Sequence, residues 1–158
     1  MFIDVIARSV QVNDGQASLS MPFPSDDVPW PLIHPRRDFG KYVVGVFEGG
    51  SSANGVKVHA VSTWTTPKDL VATLSQNSNR EVSFNPVPAD DYSKVLEKAR
   101  GAVIAQELTE TMRLIGEYSY YGKGEEKNQT KHDKWLLKDA ERISYPQWAK
   151  ENGPFRYE

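Results

Sequence analysis

The chain has 158 residues, of which 39% are apolar and 25% charged, and its 19 basic and 21 acidic side chains leave a net charge of −2. This balance predicts one globular domain over residues 1–158 and excludes the strongly basic surface that selects a nucleic acid or an anionic membrane. The lack of cysteine excludes disulfides, thiolate metal sites and a cysteine nucleophile, and it fits the cytoplasmic location that we expect.

Residues 10–21, "VQVNDGQASLSM", have the pattern of a β-hairpin, because apolar residues alternate with polar ones on both sides of a turn sequence. The letters NDG supply residues that tolerate positive φ, which a tight hairpin turn requires. Residues 22–37 contain five prolines, which predicts a loop with at most one short extended piece, Trp30 to His34.

A helix is predicted to begin at Asp38, whose carboxylate can accept hydrogen bonds from the first free amides as an N-cap. Apolar residues then recur at helical spacing and predict one packed face, formed by Phe39, Tyr42, Val43, Val46 and Phe47. Gly49 and Gly50 are expected to end this helix. Residues 56–60 alternate apolar and polar side chains, which predicts a strand with one covered face.

The next helix has a distinct start, since Thr66 can cap it, Pro67 fits its first position and Asp69 lies close to capping-box spacing. Its predicted apolar face consists of Leu70, Val71 and Leu74. Residues 80–87, "REVSFNPV", then predict a strand with Val82 and Phe84 directed inward.

Two further helices are predicted before a charged segment. The first begins at Asp90 or Asp91 and continues through Val95 and Leu96. The second runs from about Ala102 to Tyr118, with a stripe formed by Ile104, Leu108, Met112 and Ile115. Residues 122–134, "GKGEEKNQTKHDK", have the composition of a charged loop.

A short piece and a last helix close the chain over residues 135–153. Termini usually fray unless side chains anchor them, and this terminus has three large aromatic residues, Trp148, Phe155 and Tyr157. We therefore expect it to dock on the rest of the molecule. Few strands alternating with about four to five helices predict an α/β fold, or an α+β-like remnant of one.

Most motifs that identify a catalytic or cofactor site are absent. There is no glycine-rich phosphate loop and no G-x-S-x-G elbow, and no tyrosine precedes a lysine by four positions. The three histidines, His34, His59 and His132, lack the spacing of a metal site, so we predict no metal ligand.

The loop sequence "WPLIHPRR" is the first of three candidate groups. His34, Arg36 and Arg37, beside Trp30, could hold an anionic or carbonyl-bearing ligand, because a guanidinium binds such groups through two hydrogen bonds. The alternative is a solvated loop around one packed tryptophan.

The other two candidate groups are aromatic. Tyr118, Tyr120 and Tyr121 could line a pocket with phenol donors, or they could end a helix with their hydroxyls in water. His59, near Trp64, could act as a general acid or base at a strand end, or it could lie on the exposed side of an edge strand.

Five segments have a common family pattern when they are taken in order: "DFGKYVVGVF", "GVKVHAVSTWTTPKDLV", "EVSFNPVPADDY", "LTETMRLIGEYSYYG" and "WAKENGPF". They resemble the C-terminal half of the NmrA-like family, a group of atypical short-chain dehydrogenase/reductase proteins. Members of that family are fungal regulators, redox sensors and secondary-metabolism reductases. The resemblance covers nearly the whole chain and implies the substrate lobe of a Rossmann-type α/β fold.

The resemblance also implies NAD(P), although the family's glycine-rich first turn has no counterpart in residues 1–158. We therefore predict that this chain alone binds NAD(H) or NADP(H) weakly or not at all, and we assign it no cofactor. Without the other half, its apolar faces need cover, so we expect a homodimer or a partner protein. No nucleic acid or membrane partner is expected.

The family places its substrate between the matching segments, which implies a small organic ligand here. The residues assigned to catalysis are His34, Arg37, His59 and Tyr118. The residues assigned to ligand binding are Trp30, Tyr42, Trp64, Tyr120 and Tyr121. A subset should converge on one concave site, namely Trp30, His34, Tyr42, Tyr118 and Tyr121.

Three functions stay open on the sequence. The chain could be a truncated NmrA-like protein that binds a small organic ligand and is related to NAD(P)-dependent oxidoreductases and regulators. It could instead be a cofactor-independent isomerase or cyclase of fungal-type secondary metabolism that uses acid–base residues. The third possibility is a non-catalytic module that regulates a partner.

Overall fold

The computed structural model describes residues 2–158, and that range contains seven α-helices and five strands. The strands are β1 (Val10–Asn13), β2 (Gln16–Met21), β3 (Trp30–Leu32), β4 (Thr63–Thr65) and β5 (Val82–Pro86). The helices are α1 (Ile3–Ile6), α2 (Gly40–Glu48), α3 (Pro67–Gln76), α4 (Ala89–Arg100), α5 (Ala102–Tyr118), α6 (Gln129–Asp133) and α7 (Tyr145–Asn152). Because α1 and α6 are single turns, five longer helices remain, as expected for the mixed α/β class.

Two small sheets organise the strands. The predicted hairpin is present, since β1 and β2 pair antiparallel around Asp14 and Gly15, whose φ angles are 50° and 79°. β2 also pairs in parallel with β5, giving the strand order β1-β2-β5. β3 forms within the predicted extended piece and pairs antiparallel with β4 in the second sheet.

One cluster of buried side chains joins the two sheets to α1, α3, α5 and α7. The α3 helix confirms its predicted start, since the Thr66 hydroxyl oxygen accepts a hydrogen bond from the Asp69 amide at 3.2 Å. Leu70 and Leu74 on its inner face are completely buried. The predicted strand at β5 also forms, with Val82 buried and Phe84 packed against the same core.

The C-terminal segment docks as expected. Trp148 and Tyr157 are only 5% and 8% exposed. The Phe155 amide donates a hydrogen bond to the Asn77 carbonyl at 2.8 Å, and the Arg80 guanidinium donates to the Tyr157 carbonyl at 2.8 Å. The last residues therefore add an extended piece beside the loop that follows α3.

The prediction that Asp38 caps a helix is wrong. A π-helical turn, Pro35–Phe39, leads directly into α2, because proline already fixes φ in the helical region. Asp38 lies inside this turn with no exposed surface. Its carboxylate accepts hydrogen bonds from the Lys41 ammonium, the Ser62 hydroxyl and the Ile143 amide, so it joins three separate parts of the chain.

The predicted apolar face of α2 is also wrong, although the helix forms and ends before Gly49 as expected. Phe39 and Phe47 are 53% and 79% exposed, and Tyr42 is the one buried residue of the helix. The packed side instead carries Gly45, which lies against the backbone of residues 135–137. Helical spacing therefore predicted the element, whereas close approach of another segment selected its buried side.

Residues 56–60 do not form the predicted strand, because no strand of the described chain lies alongside them. Side chains bind their backbone instead. The His59 amide donates to Nδ1 of His132 at 3.2 Å, and the Gln129 amide group donates to the His59 carbonyl at 3.1 Å.

The α4 and α5 helices form, but their inner faces differ from the prediction. Asp90 and Asp91 lie in the first turn of α4 after Pro88, not at its cap. Ile104 on α5 is 43% exposed, and the buried stripe is shifted to Ala105, Thr109, Met112 and Ile115. Smaller side chains on this stripe allow α5 to approach its neighbours.

The charged segment over residues 122–134 is more ordered than a loop, since it contains a 3₁₀ turn, Glu125–Asn128, followed by α6. Charge composition does not detect these short elements, because contacts elsewhere in the chain stabilise them. Across residues 2–158, no helix combines the length and the apolar character that crossing a bilayer requires.

Candidate functional site

A groove of about 720 Å³ lies between the N-terminal helical turns, the loop after β3 and the docked C-terminal segment. We call it the arginine groove. Its charged and polar lining residues include Asp4, Arg8, His34, Arg36, Asn152 and Arg156, and its aromatic residues are Trp148, Phe155 and Tyr157. Residues from both ends of the sequence therefore form one site.

Positive charge dominates the arginine groove. Among the ion pairs of residues 2–158, none involves Arg8, Arg36 or Arg156. Asp4 is the one acidic residue of the lining. Three guanidinium groups without a carboxylate partner can bind an anionic ligand through charge-assisted hydrogen bonds.

Two side chains of the groove have buried polar atoms without a hydrogen-bond partner: Nδ1 of His34 and the hydroxyl of Tyr157. His34 is held in position, because its amide donates to the Ser62 hydroxyl oxygen at 2.8 Å. Burial raises the pKa of Tyr157 to about 12, so its hydroxyl stays protonated and can donate. Unsatisfied buried groups of this kind are uncommon and suit a site that a ligand completes.

Stacked aromatic rings form one wall of the groove. Trp148 and Phe155 stack with their centroids 5.8 Å apart, and Phe155 and Tyr157 stack at 6.4 Å. Tyr145 continues the column behind Trp148 at 5.6 Å. The wall places a partly exposed aromatic residue, Phe155, beside the cationic groups, a combination that suits an aromatic anion.

A second site, which we call the imidazole cluster, is centred on His59. Its ring stacks between Tyr121 and His132, with centroid distances of 3.9 and 3.8 Å. Glu125 lies beside the two histidines, and one ligand atom from each of these three side chains falls within 4.8 Å of the others. Burial and the neighbouring His132 lower the pKa of His59, and Glu125 opposes this effect.

Gln129, the first residue of α6, connects the imidazole cluster to its surroundings. Its side-chain oxygen accepts a hydrogen bond from the Trp64 indole at 2.9 Å. Its side-chain nitrogen donates to Asp133 at 2.8 Å, and Asp133 also accepts the Tyr42 hydroxyl at 2.8 Å. Burial, followed by the hydrogen bond to Asp133, raises the pKa of Tyr42, so this tyrosine acts as a structural donor.

The structure distributes the sequence-predicted residues over separate places. His59, Trp64, Tyr120 and Tyr121 lie together, since Tyr121 also contacts Trp64 at 6.2 Å and Tyr120 at 4.9 Å between ring centroids. Tyr42 reaches the same cluster through Gln129. His34 lies in the arginine groove instead.

Three predicted residues lie outside both sites. Trp30 has no exposed surface and packs edge-on against Phe23, so it cannot contact a ligand. Arg37 pairs with Glu151 at 2.7 Å, which leaves Arg36 as the arginine of this loop that lines the groove. Tyr118 is 60% exposed at the end of α5. Trp30, His34, Tyr42, Tyr118 and Tyr121 therefore do not share one pocket.

Sequence patterns missed several residues of both sites. Arg8, Arg156 and Tyr157 belong to the groove, but they are separated along the chain and follow no motif. The sequence places His132 and Glu125 in a charged loop and gives no sign that they lie beside His59. The aromatic terminus was the one available signal, because it predicted that the C-terminal segment docks.

Comparison with known proteins identifies the fold. Among solved structures, the chain is similar to Nmra, a negative transcriptional regulator, in complex with NAD, with a TM-score of 0.62 and 19% identity. It is also similar to the same regulator in complex with NADP, with a TM-score of 0.59 and 17% identity. These matches cover 90% of this chain but only 45% of each regulator chain.

No curated protein matches the sequence. Residues 2–143 match the NmrA-like family, and this range includes four of the five segments that carried the resemblance. The fifth segment, "WAKENGPF", lies beyond it. The chain belongs to the NmrA-like family.

Proposed function

We propose that this chain is the ligand-binding part of an NmrA-like protein and that it holds a small aromatic anion in the arginine groove. The observation that carries the proposal is the set of three guanidinium groups, Arg8, Arg36 and Arg156, without carboxylate partners around a groove of about 720 Å³. A volume of this size suits a small organic ligand.

The two kinds of lining assign different parts of the ligand. Guanidinium groups recognise a carboxylate or phosphate, whereas the partly exposed ring of Phe155 suits an apolar body. The Tyr157 hydroxyl stays protonated but is buried, so it can donate to a ligand oxygen only if the segment around it shifts. Such a ligand combines a planar ring with a charged group, as the dinucleotides bound by NAD(P)-dependent proteins also do.

We further propose that this chain by itself binds a whole dinucleotide poorly. The similar regulator structures contain NAD or NADP, but they are about twice as long as this chain. Residues 1–158 contain no glycine-rich turn at a strand–helix junction, the feature that ordinarily holds a pyrophosphate. A dinucleotide would therefore have to rely on the groove alone.

The test uses 2-naphthoate as the anionic probe and 2-naphthol as its neutral counterpart. We expect 2-naphthoate to bind and to shift the Trp148 indole signal in an NMR titration, and 2-naphthol to bind less tightly. Arg36→Gln or Arg156→Gln should weaken 2-naphthoate binding about tenfold, because each removes a charge-assisted hydrogen bond. Arg37→Gln is the matched control, since Arg37 pairs with Glu151 outside the groove lining.

Equal binding of the two probes, or equal losses in all three arginine variants, would contradict the proposal. NAD and NADP are titrated in parallel by calorimetry. Micromolar or tighter binding of either dinucleotide would overturn the proposal that the chain binds a whole dinucleotide poorly. The naphthoate titration then still decides whether the groove binds an aromatic anion.

Acid–base catalysis in the same groove is the second candidate function. The position of His34 in the groove lining, where its amide is held by Ser62, favours it, because a positioned imidazole can transfer a proton. Phenylpyruvate is a suitable probe, since it is an aromatic anion whose methylene protons exchange with deuterated water. Faster exchange with the wild-type protein than with His34→Gln would support catalysis, whereas equal rates would leave binding alone as the function.

A further inference from the structure

We propose that His59, Glu125 and His132 form a binding site for a divalent transition metal ion of the zinc type. Ligand atoms from these three half-buried side chains lie within 4.8 Å of one another. They come from the extended segment before β4, from the 3₁₀ turn and from α6, so the tertiary structure creates a cluster that no sequence spacing indicates. Two imidazoles and one carboxylate leave a fourth tetrahedral position open for water.

The surroundings of the cluster support a missing ligand. Nδ1 of His59 is buried and has no hydrogen-bond partner, which is unfavourable for a polar atom unless something else binds it. The Asn128 side chain donates to Oε1 of Glu125 at 3.1 Å. This bond orients the carboxylate and leaves Oε2 available, as outer partners commonly do for metal ligands.

The ligand types define the class of metal. Imidazole nitrogen suits zinc, copper, nickel and cobalt, whereas magnesium and calcium prefer a complete oxygen shell. A single carboxylate therefore does not make this a calcium or magnesium site. None of the three residues lines the arginine groove, so the metal site is independent of the proposed ligand.

Metal binding requires a local rearrangement, because the two imidazole planes are stacked at an angle of 22° and their lone pairs do not meet at one point. The His59 amide also donates to Nδ1 of His132, although the distance of 3.2 Å is at the long end for such a bond. At least one ring must turn. Nδ1 of His132 then either exchanges its hydrogen bond for a bond to the metal ion, or keeps it while Nε2 of the same ring binds the metal ion. We therefore expect weaker binding than at a preorganised structural zinc site.

The experiment titrates metal-free protein without a histidine tag with Co²⁺, follows the visible absorption of the bound ion, and then displaces Co²⁺ with Zn²⁺. We expect one ion per chain. His59→Ala and His132→Ala should each weaken binding about tenfold or more, and Glu125→Gln should weaken it less. His34→Ala is the control, because His34 lies in the arginine groove, and it should bind like the wild type.

A second measurement does not depend on variants that could misfold. In the wild-type protein, Zn²⁺ should shift the ring signals of Tyr121, which stacks on His59 at 3.9 Å, and leave those of Tyr145 unchanged. Absence of a saturable Co²⁺ signal would overturn the proposal. Saturable Co²⁺ binding that is as tight in His59→Ala and in His132→Ala as in the wild type would also overturn it. So would Zn²⁺ binding that leaves the ring signals of Tyr121 unchanged.

Discussion

At the scale of single residues, Gly45 determines how α2 packs. A Cβ atom built on Gly45 would lie 2.2 Å from the Trp135 carbonyl oxygen and 2.9 Å from the Leu137 nitrogen. Both are backbone atoms, so they cannot turn aside as a flexible side chain could. Gly40, at the start of the same helix, has no atom within 4 Å of such a position.

The glycine pair gives the first prediction. Gly45→Ala should destabilise the protein by about 2 kcal/mol, because overpacking forces a backbone shift. Gly40→Ala should be neutral or stabilising by up to about 1 kcal/mol, since alanine favours a helix over glycine. Urea unfolding of both variants measures the difference. Equal midpoints would show that residues 135–137 do not press against α2.

Asp38 is the second residue with a large expected effect. Its buried carboxylate is paired with Lys41 at 2.8 Å and also accepts the Ser62 hydroxyl and the Ile143 amide. Burial alone would raise the pKa of Asp38, but the hydrogen bonds from Lys41, Ser62 and Ile143 together lower it below its ordinary value.

Asp38→Asn should destabilise the protein by about 3 kcal/mol at neutral pH, because it leaves a partly buried ammonium without its partner. Since the folded pKa is lowered, the ionised carboxylate stabilises the fold above its unfolded pKa, and this contribution is lost as the pH falls through the folded pKa. The stability difference between the two proteins should therefore shrink on acidification below about pH 4. Denaturant unfolding at several pH values checks it, and a constant difference would contradict it.

At the scale of elements, the docked C-terminal segment connects stability to the arginine groove. Phe155 forms backbone hydrogen bonds with Asn77 and Asn79, and the Tyr157 carbonyl accepts from Arg80. The same two aromatic residues line the groove. Docking of this segment and formation of the groove are thus one structural event.

We predict that truncation after Pro154 lowers the free energy of unfolding by about 3 kcal/mol, because it removes a packed aromatic pair and its hydrogen bonds. The truncated chain should also lose binding of 2-naphthoate. Removal of the exposed Glu158 alone is the control and should change neither property. Thermal unfolding and the naphthoate titration give the two readouts. Full binding of 2-naphthoate by the truncated protein would show that the groove does not depend on the C-terminal segment.

At the scale of the whole molecule, several large apolar side chains are exposed. Phe39, at the end of the π-helical turn, and Val43 and Phe47 on α2 follow one another at four-residue spacing, and Phe47 is 79% exposed. Val103 on α5 is 78% exposed. A stable interface buries about 800 Å² per partner, and a monomer rarely leaves a contiguous apolar patch of that size in water.

We predict that two copies of the chain associate through the α2 face, since a two-fold dimer lets the same stripe cover itself. Light scattering at micromolar concentration should give about twice the chain mass of 17.8 kDa. Phe47→Glu should shift the mass to that of the monomer, whereas Val103→Glu, which lies on α5 and not on α2, should have a smaller effect. A wild-type mass near 17.8 kDa would reject self-association and leave a different partner as the cover for α2.

Much of the fold could be predicted because its signals are local. The NDG turn determined the hairpin, Thr66 with Pro67 determined the start of α3, and helical spacing determined the bounds of α5. Each signal depends on atoms within a few residues, where backbone sterics and capping hydrogen bonds dominate. The five sequence segments, taken in their order along the chain, also carried the family resemblance. The match over residues 2–143 confirms it.

Other features depend on segments that are far apart in the chain. Spacing could not show that α2 buries its Gly45 side, that Asp38 lies in the core, or that residues 56–60 lack a neighbouring strand. The candidate sites are of this kind, since the groove joins Arg8 to Arg156 and the imidazole cluster joins His59 to His132. The sequence by itself determined the elements with strong local signals, namely the hairpin, α3, β5, α4 and α5, because their energetics are local. Only the tertiary structure decided which faces are buried and which side chains meet, because burial and charge depend on every neighbour in space.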